Sequence, residues 1–373
     1  MTLNFLARLQ LVILRSPIRQ APRVSSRRRS AHRALLVGVC AFLAASAGLA
    51  VSLETTRPQW RDPEFGHRLA LLRDCERRSS SRPLVLVVGT SRTQNAIFPG
   101  AMEFPDTPGS PRVFNFGQSA SPPLKELLTL HRVLDAGIKP AAVLVELLPG
   151  TLIVNGPAEE QLGTQAARLS AADLRHLAPY CTNADALRTP WLNARLLPFS
   201  AQRQVLMNHL APRWVPWNRR IEVQWESLDA DGFQPVLEVS AAFRESAVEH
   251  ARKEYAGAFA WFVPGAASVR AMRDLVGVCR ANNIPVAFYI PPLSPAFRAS
   301  FAPGVFAAGE RYLNQLGREL GTPVLPGHLN TTEDEFMDGH HLLRHGAAKY
   351  SQWLAAEHLK PWLSSLRLGG SAP

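Results

Sequence analysis

Lysine is nearly missing from this chain of 373 residues: five stand against 36 arginines, a bias that reads as codon usage rather than function. Acidic residues are missing altogether from residues 1–53, which hold eight arginines (Arg8, Arg15, Arg19, Arg23, Arg27, Arg28, Arg29 and Arg33). Of the formal net charge of +11, only about +3 (11 − 8) is therefore left for the other 320 residues. A nucleic-acid binder carries its basic excess on the folded domain, so that class is set aside. Cysteine is scarce too. Cys40, Cys75, Cys181 and Cys279 form no CxxC pair and no metal-ligand spacing, which argues against a zinc site or a dithiol redox centre; neither metal nor cofactor is expected. If the chain is exported, Cys75, Cys181 and Cys279 leave room for one disulfide that the sequence does not assign, and buried free thiols are the simpler reading. There is no internal repeat and no low-complexity tract, which excludes a solenoid or an array. A hydrophobic content of 46% is ample for a buried core, in one large domain or two ordinary ones.

What is present begins with a long apolar run. Ala34 to Leu53 (ALLVGVCAFLAASAGLAVSL) carries no charge, and its twenty residues suffice to cross about 30 Å of hydrocarbon. Arg27, Arg28, Arg29 and Arg33 precede it, so the positive-inside rule predicts a basic cytoplasmic tail (1–33), a transmembrane signal anchor (34–53) and an exported remainder. The rival is a cleaved signal peptide, since Ala45-Ser46-Ala47 resembles a cleavage site, but 33 residues make a long charged region for that role. Residues 3–14 (LNFLARLQLVIL) suit the inner membrane face, or reflect a start codon placed too far upstream.

Beyond the span, residues 54–82 are polar and arginine-rich and read as a connector with one helical stretch. A β/α rhythm follows: a strand at Leu84–Val88, another at Val113–Phe116, a helix over Pro122–Ala136 closed by Gly137, and a strand at Ala142–Leu147. It resumes with a helix near Ala267–Asn282, a strand at Pro285–Ile290, a helix near Gly304–Leu320, a short strand at Pro323–Leu325 and a last helix near Arg344–His358. Strands alternating with helices predict an α/β fold with a parallel, doubly wound sheet covered on both faces. Between the two stretches, residues 150–262 are rich in Trp, Pro and Arg, with helical pattern over 159–176 and 238–256. So long a segment predicts a mostly helical insertion over the sheet. Residues 363–373 read as a disordered tail.

The first strand runs straight into Gly89-Thr90-Ser91-Arg92, at the carboxyl end where open α/β sheets place their ligands. A serine there is ordinarily a helix cap. Near the other terminus, Asp338 precedes His341 by three residues, close enough in a turn for the carboxylate to set the imidazole tautomer. Ser91, Asp338 and His341 together offer a nucleophile, an orienting acid and a base. His340 has the wrong spacing and His345 falls in the first turn of the last helix, so both are given structural or surface roles. Glu146, at a buried strand end, is a salt-bridge partner or a functional acid, because an unpaired buried carboxylate is costly. The insertion's tryptophans read first as core, second as a platform for a sugar ring.

With those residues in view, the chain resembles the SGNH (GDSL-like) hydrolase superfamily over roughly residues 83–149 and 284–358. Gly89-Thr90-Ser91 is similar to its first block, Phe116-Gly117 to its second and Asp338-Gly339-His340-His341 to its last. The resemblance implies a three-layer, flavodoxin-like α/β/α domain (83–362), with Ser91 as nucleophile, His341 as base and Asp338 as orienting acid. It also implies that the backbone N–H groups of Ser91 and Gly117 form the oxyanion hole. The third block departs: where the family has an asparagine donor, this chain has Val145-Glu146-Leu147-Leu148-Pro149. Ser-Arg in the first block with an acid in the third resembles the membrane-anchored branch, which includes O-acetylation and D-alanylation proteins of the cell envelope. On that analogy Arg92 pairs with Glu146 or binds an anionic substrate group, and Asn95 or Asn115 replaces the missing donor. The expected substrate is an acylated carbohydrate or other ester, with the membrane and envelope-complex proteins as partners. A degenerate domain used as a binding or scaffold module is the rival, and a phospholipase or thioesterase with an apolar acyl groove beside Ser91 is the third reading.

Overall fold

The computed structural model describes residues 26–153, 162–327 and 330–366. The chain divides into two compact units, 1–49 and 50–373. Helix α1, Ser26–Thr55, contains a stretch, Arg28–Thr55, that is long and apolar enough to span a membrane, with 18 consecutive residues of mean hydropathy 2.3. Residues 1–25, with most of the expected tail and the apolar 3–14 segment, lie outside the described residues.

The second unit is built on five parallel strands: β1 Leu84–Gly89, β2 Arg112–Gly117, β3 Ala142–Glu146, β4 Val286–Tyr289 and β5 Val324–Leu325. Their order is β2-β1-β3-β4-β5. Strands buried on both faces need apolar residues at every position rather than at alternate ones, which is why β1 reads LVLVVG and β3 AVLVE. Side chains still alternate in direction. Leu86, Val88, Val143, Val145 and Phe288 enter one core cluster, and Val85, Val87, Leu144, Ala287 and Tyr289 the other. Helical layers cover each face. The first cluster takes Leu72 and Cys75 from α2 (Pro63–Arg78), Leu127 and Leu128 from α4 (Pro123–Asp135), Met272 and Leu275 from α9 (Ala266–Ala281), and Leu313 from α10 (Val305–Glu319). The second takes Ala96 from α3 (Ser91–Ala96) and Tyr350 and Leu354 from α11 (Arg344–Leu354). Cys75 and Cys279 are buried thiols, as expected of two of the four cysteines.

Three stretches differ from the sequence reading. The helical stretch expected in the connector forms as α2, but it joins the fold rather than linking to it: its Arg68 is fully buried and donates to the carbonyls of Asn115 and Gly232. A single helix does not fill the described part of 159–176: Ser170, extended, caps a separate helix α5, Ala171–Leu177, through a reciprocal bond with Asp173. Residues 154–161 lie outside the described residues. The fold also runs past 362, because α11 continues through a π turn, Ala355–Leu359, into α12, Lys360–Ser365, which buries Leu363. The rest of the expected tail, 367–373, lies outside the described residues.

The insertion is mostly helical, as expected, and includes α6 Ala184–Leu196, α7 Arg203–Leu210 and α8 Ala241–Glu254, which Ser240 caps. Its tryptophans divide: Trp191 packs on the core and donates to Leu169 O, while Trp214 and Trp217 are exposed.

Candidate active site

Because β1 sits between β2 and β3, the chain leaves its carboxyl end towards one neighbour and returns on the other side, opening a crevice there. Thr90 and Ser91 follow β1 at this point, and Glu146 closes β3 beside them. Thr90 caps the short helix α3 and Ser91 is its first residue. A helix start leaves its first amides without intrahelical partners, and here nearly all are satisfied locally. Glu146, 2% exposed, accepts from the Thr90 N–H at 2.8 Å, the Thr93 N–H at 3.3 Å and both threonine hydroxyls. The Arg92 N–H reaches Thr90 Oγ1 at 3.1 Å. The Ser91 N–H keeps no partner among the described residues and is available to a bound oxyanion. Gly89 is required by the same crowding, since a Cβ there would collide with Thr93 Oγ1 and stand 2.7 Å from Glu146 Oε2.

The acid and the base come from one tight turn. Phe336 and Leu342 bridge across it, and Gly339 at φ 91° turns the chain in the left-handed region. Asp338 Oδ1 accepts from the His340 and His341 N–H groups at 3.1 and 2.9 Å. Its Oδ2 takes His341 Nδ1 at 2.6 Å, which leaves Nε2 to face Ser91 Oγ at 2.8 Å. The three residues predicted from sequence thus meet across 250 residues of chain. Burial alone would raise the Asp338 pKa, but the bonds and charges of His341 and His340 outweigh it and hold the carboxyl well below its usual range. It stays ionised, ready to stabilise an imidazolium on His341.

Four expected roles are corrected. The Gly117 N–H donates to Asn115 Oδ1 at 2.9 Å and is not aimed at the crevice. Asn115 Nδ2 is held by the carbonyls of Thr93 and Ile97, at 2.9 and 2.7 Å, and Asn95 Nδ2 by Gln234 O at 2.8 Å, so neither amide is free for the donor role expected of it. Buried amides bond to the nearest fixed carbonyls, and the backbone of α3 and of the insertion supplies them. Glu146 makes no salt bridge with Arg92 among the described residues, because its oxygens are already committed to Thr90 and Thr93.

Sequence reasoning missed Thr90 and Thr93; the signal available was two hydroxyls flanking the serine with an unpaired acid expected at the end of β3. His340 takes the structural of the two roles it was given. That ring is buried between Tyr255 and Phe297, and its pKa is lowered to about 2, first by burial and then by the charges of His341 and Arg92. Its Nδ1 lies 3.3 Å from Asp338 Oδ1 without hydrogen-bonding geometry. His345 bonds instead to Glu238 on the surface, as expected. Asp338, His340 and His341 are also close enough together to hold a metal ion. His341, however, already divides its two nitrogens between acid and nucleophile. Behind Glu146 lies Glu126, whose carboxyl is pushed well above its ordinary value by burial and then by the Glu146 charge.

No protein-family model and no curated protein matches this chain.

Proposed function

We propose that the chain is a membrane-anchored serine esterase or O-acyltransferase of SGNH type, acting on acyl esters of cell-envelope carbohydrate. The observation that carries the reading is the hydrogen-bonded line from Ser91 Oγ through His341 to Asp338, at 2.8 and 2.6 Å. Both distances lie in the range of productive catalytic hydrogen bonds. The strand order, which is that of flavodoxin-like sheets, and the chain order Ser, Asp, His support the family resemblance. Helix α1 and the arginines before its apolar stretch support a cytoplasmic N-terminus and an exported domain.

In the proposed cycle, Ser91 Oγ attacks the ester carbonyl while His341 Nε2 takes its proton. The resulting imidazolium is held by Asp338, and the oxyanion accepts from the Ser91 N–H. Collapse returns the proton to the departing alcohol and leaves an acyl-serine. Water then completes an esterase cycle, or a carbohydrate hydroxyl completes a transfer.

One observation favours the rival, a domain that binds rather than turns over. With Gly117, Asn95 and Asn115 engaged elsewhere, Ser91 is the one oxyanion donor identified, and each donor lost from such a site costs about 100- to 1,000-fold. Labelling the full-length chain in detergent with a fluorophosphonate, then mapping the adduct by mass, separates the two. The esterase reading expects an adduct on Ser91 that Ser91→Ala and His341→Ala both remove. An unlabelled protein with an intact cooperative melt would establish the binding module.

A further inference from the structure

Arg92 is a buried cation without an anion. It is 5% exposed, its Nε is sealed without a partner, and no hydrogen bond or salt bridge to its guanidinium occurs among the described residues. Among the described residues Arg132 is matched with Asp62 and Asp173, Arg112 with Glu76 and Arg61 with Glu54, and Arg68 holds two carbonyls, although the Nε atoms of Arg68, Arg112 and half-buried Arg244 also lack a partner. What Arg92 has is an aromatic face, the Tyr255 ring 5.1 Å from its Cζ. Tyr255 stands edge-on to His340 at 5.2 Å, and His340 lies 4.1 Å from the ring of His341. The guanidinium is thereby held on the histidine flank of Ser91. Neither Glu146 nor Asp338 serves it, since Glu146 is taken up by Thr90 and Thr93 and Asp338 by the turn and His341.

A buried guanidinium left unpaired is costly, and its planar fork pairs bidentately with a carboxylate. We propose that Arg92, backed by Tyr255, is a subsite for a carboxylate carried by the substrate beside its scissile ester. This rests on the esterase or acyltransferase reading and narrows it to acidic esters: an O-acylated acidic sugar if the carboxylate lies on the alcohol side, a dicarboxylic half-ester if it lies on the acyl side. The subsite explains why an arginine follows the nucleophile. It also gives the insertion, which supplies Tyr255, a part in choosing the substrate.

Binding to the full-length Ser91→Ala protein in detergent tests this without turnover. Calorimetry would compare 4-acetoxybenzoate with its neutral carboxamide, and monosuccinyl phenyl ester with its carboxamide. A carboxylate preference of at least about tenfold in either pair is expected, and the pair that shows it identifies the side of the ester. In the background of Ser91→Ala, Arg92→Gln should bring that ratio to about one, and Arg92→Lys should keep part of it because the charge remains without the fork. Equal affinities within both pairs, or a preference that survives Arg92→Gln, would overturn the subsite. The wild-type side chain carries the comparison by itself if Arg92→Gln fails to fold. The outcome is independent of fluorophosphonate labelling, so an acid-selective site that does not label and a labelled site that ignores carboxylates are told apart.

Discussion

The two halves of the second unit hold their chemistry in opposite ways. Around the sheet, polar groups are buried and saturated: Glu146 accepts from two backbone amides and two hydroxyls, and Asn115 spends both ends of its amide on the chain around it. In the insertion, large apolar groups stay on the surface, with Leu210, Trp214 and Trp217 exposed by 76%, 80% and 63%. The sheet places Ser91 by satisfying most polar groups near it, the Ser91 N–H and the Arg92 Nε excepted, whereas the insertion contributes single contacts such as Tyr255. Damage should therefore be expensive on one side and cheap on the other.

The largest loss is expected from Glu146→Ala, which strands the donors of Thr90 and Thr93 in a dry environment. A cost on the order of 4 kcal/mol follows from about 1–3 kcal/mol per orphaned group, partly recovered by relaxation. Differential scanning calorimetry should show the melt falling by roughly 8 °C or more. Glu146→Gln, which keeps an acceptor oxygen, should lose less. Next comes Leu144→Ala in the middle of β3, at a position with no exposure. A cavity there costs about 3 kcal/mol, and the same measurement reads it.

Acid should separate the halves further. His340 is held neutral in the fold at a pKa of about 2, first by burial, whereas an unfolded histidine takes its proton near 6.5. The unfolded chain thus binds more protons below that value, so stability is full above about pH 6.5 and is lost as pH falls. Asp338, whose pKa is depressed, adds a loss of the same sign once pH drops below the ordinary carboxyl value near 3.9. Between pH 7 and pH 5 the His340 contribution is about 2 kcal/mol. His340→Phe retains a ring against Tyr255 and Phe297, and it should flatten the pH dependence of the melt over that interval. A variant that loses stability in parallel with the wild type would assign the acid sensitivity elsewhere.

How much of this was legible in the sequence follows the same division. The strands could be read because burial on both faces demands continuous β-branched and leucine runs, and Val85 to Val88 or Val143 to Val145 serve no other pattern. The triad was legible because Ser91 and the Asp338–His341 pair sit on short local motifs whose geometry a turn dictates. The fate of the expected oxyanion donors was not: whether Gly117, Asn95 or Asn115 is left free depends on which carbonyl or carboxamide reaches it first, and Gln234 comes from a loop 139 residues away. The role of α2 was hidden for a related reason. Its sequence is arginine-rich, and only the carbonyls of Asn115 and Gly232 make a buried Arg68 tolerable.

The smallest effect sharpens the contrast most. Leu210→Ala makes the same chemical change as Leu144→Ala, but at a side chain already three-quarters in water. Trp214→Ser removes a far larger group from a similarly open place. Neither leaves a cavity or an orphaned donor, and surface changes of that kind stay within about 0.5 kcal/mol. Both variants should melt with the wild type and label at Ser91 to the same extent. A drop comparable to that of Leu144→Ala would mean that these side chains are covered in the protein in solution, and the division between a saturated sheet and an open insertion would fail at that surface.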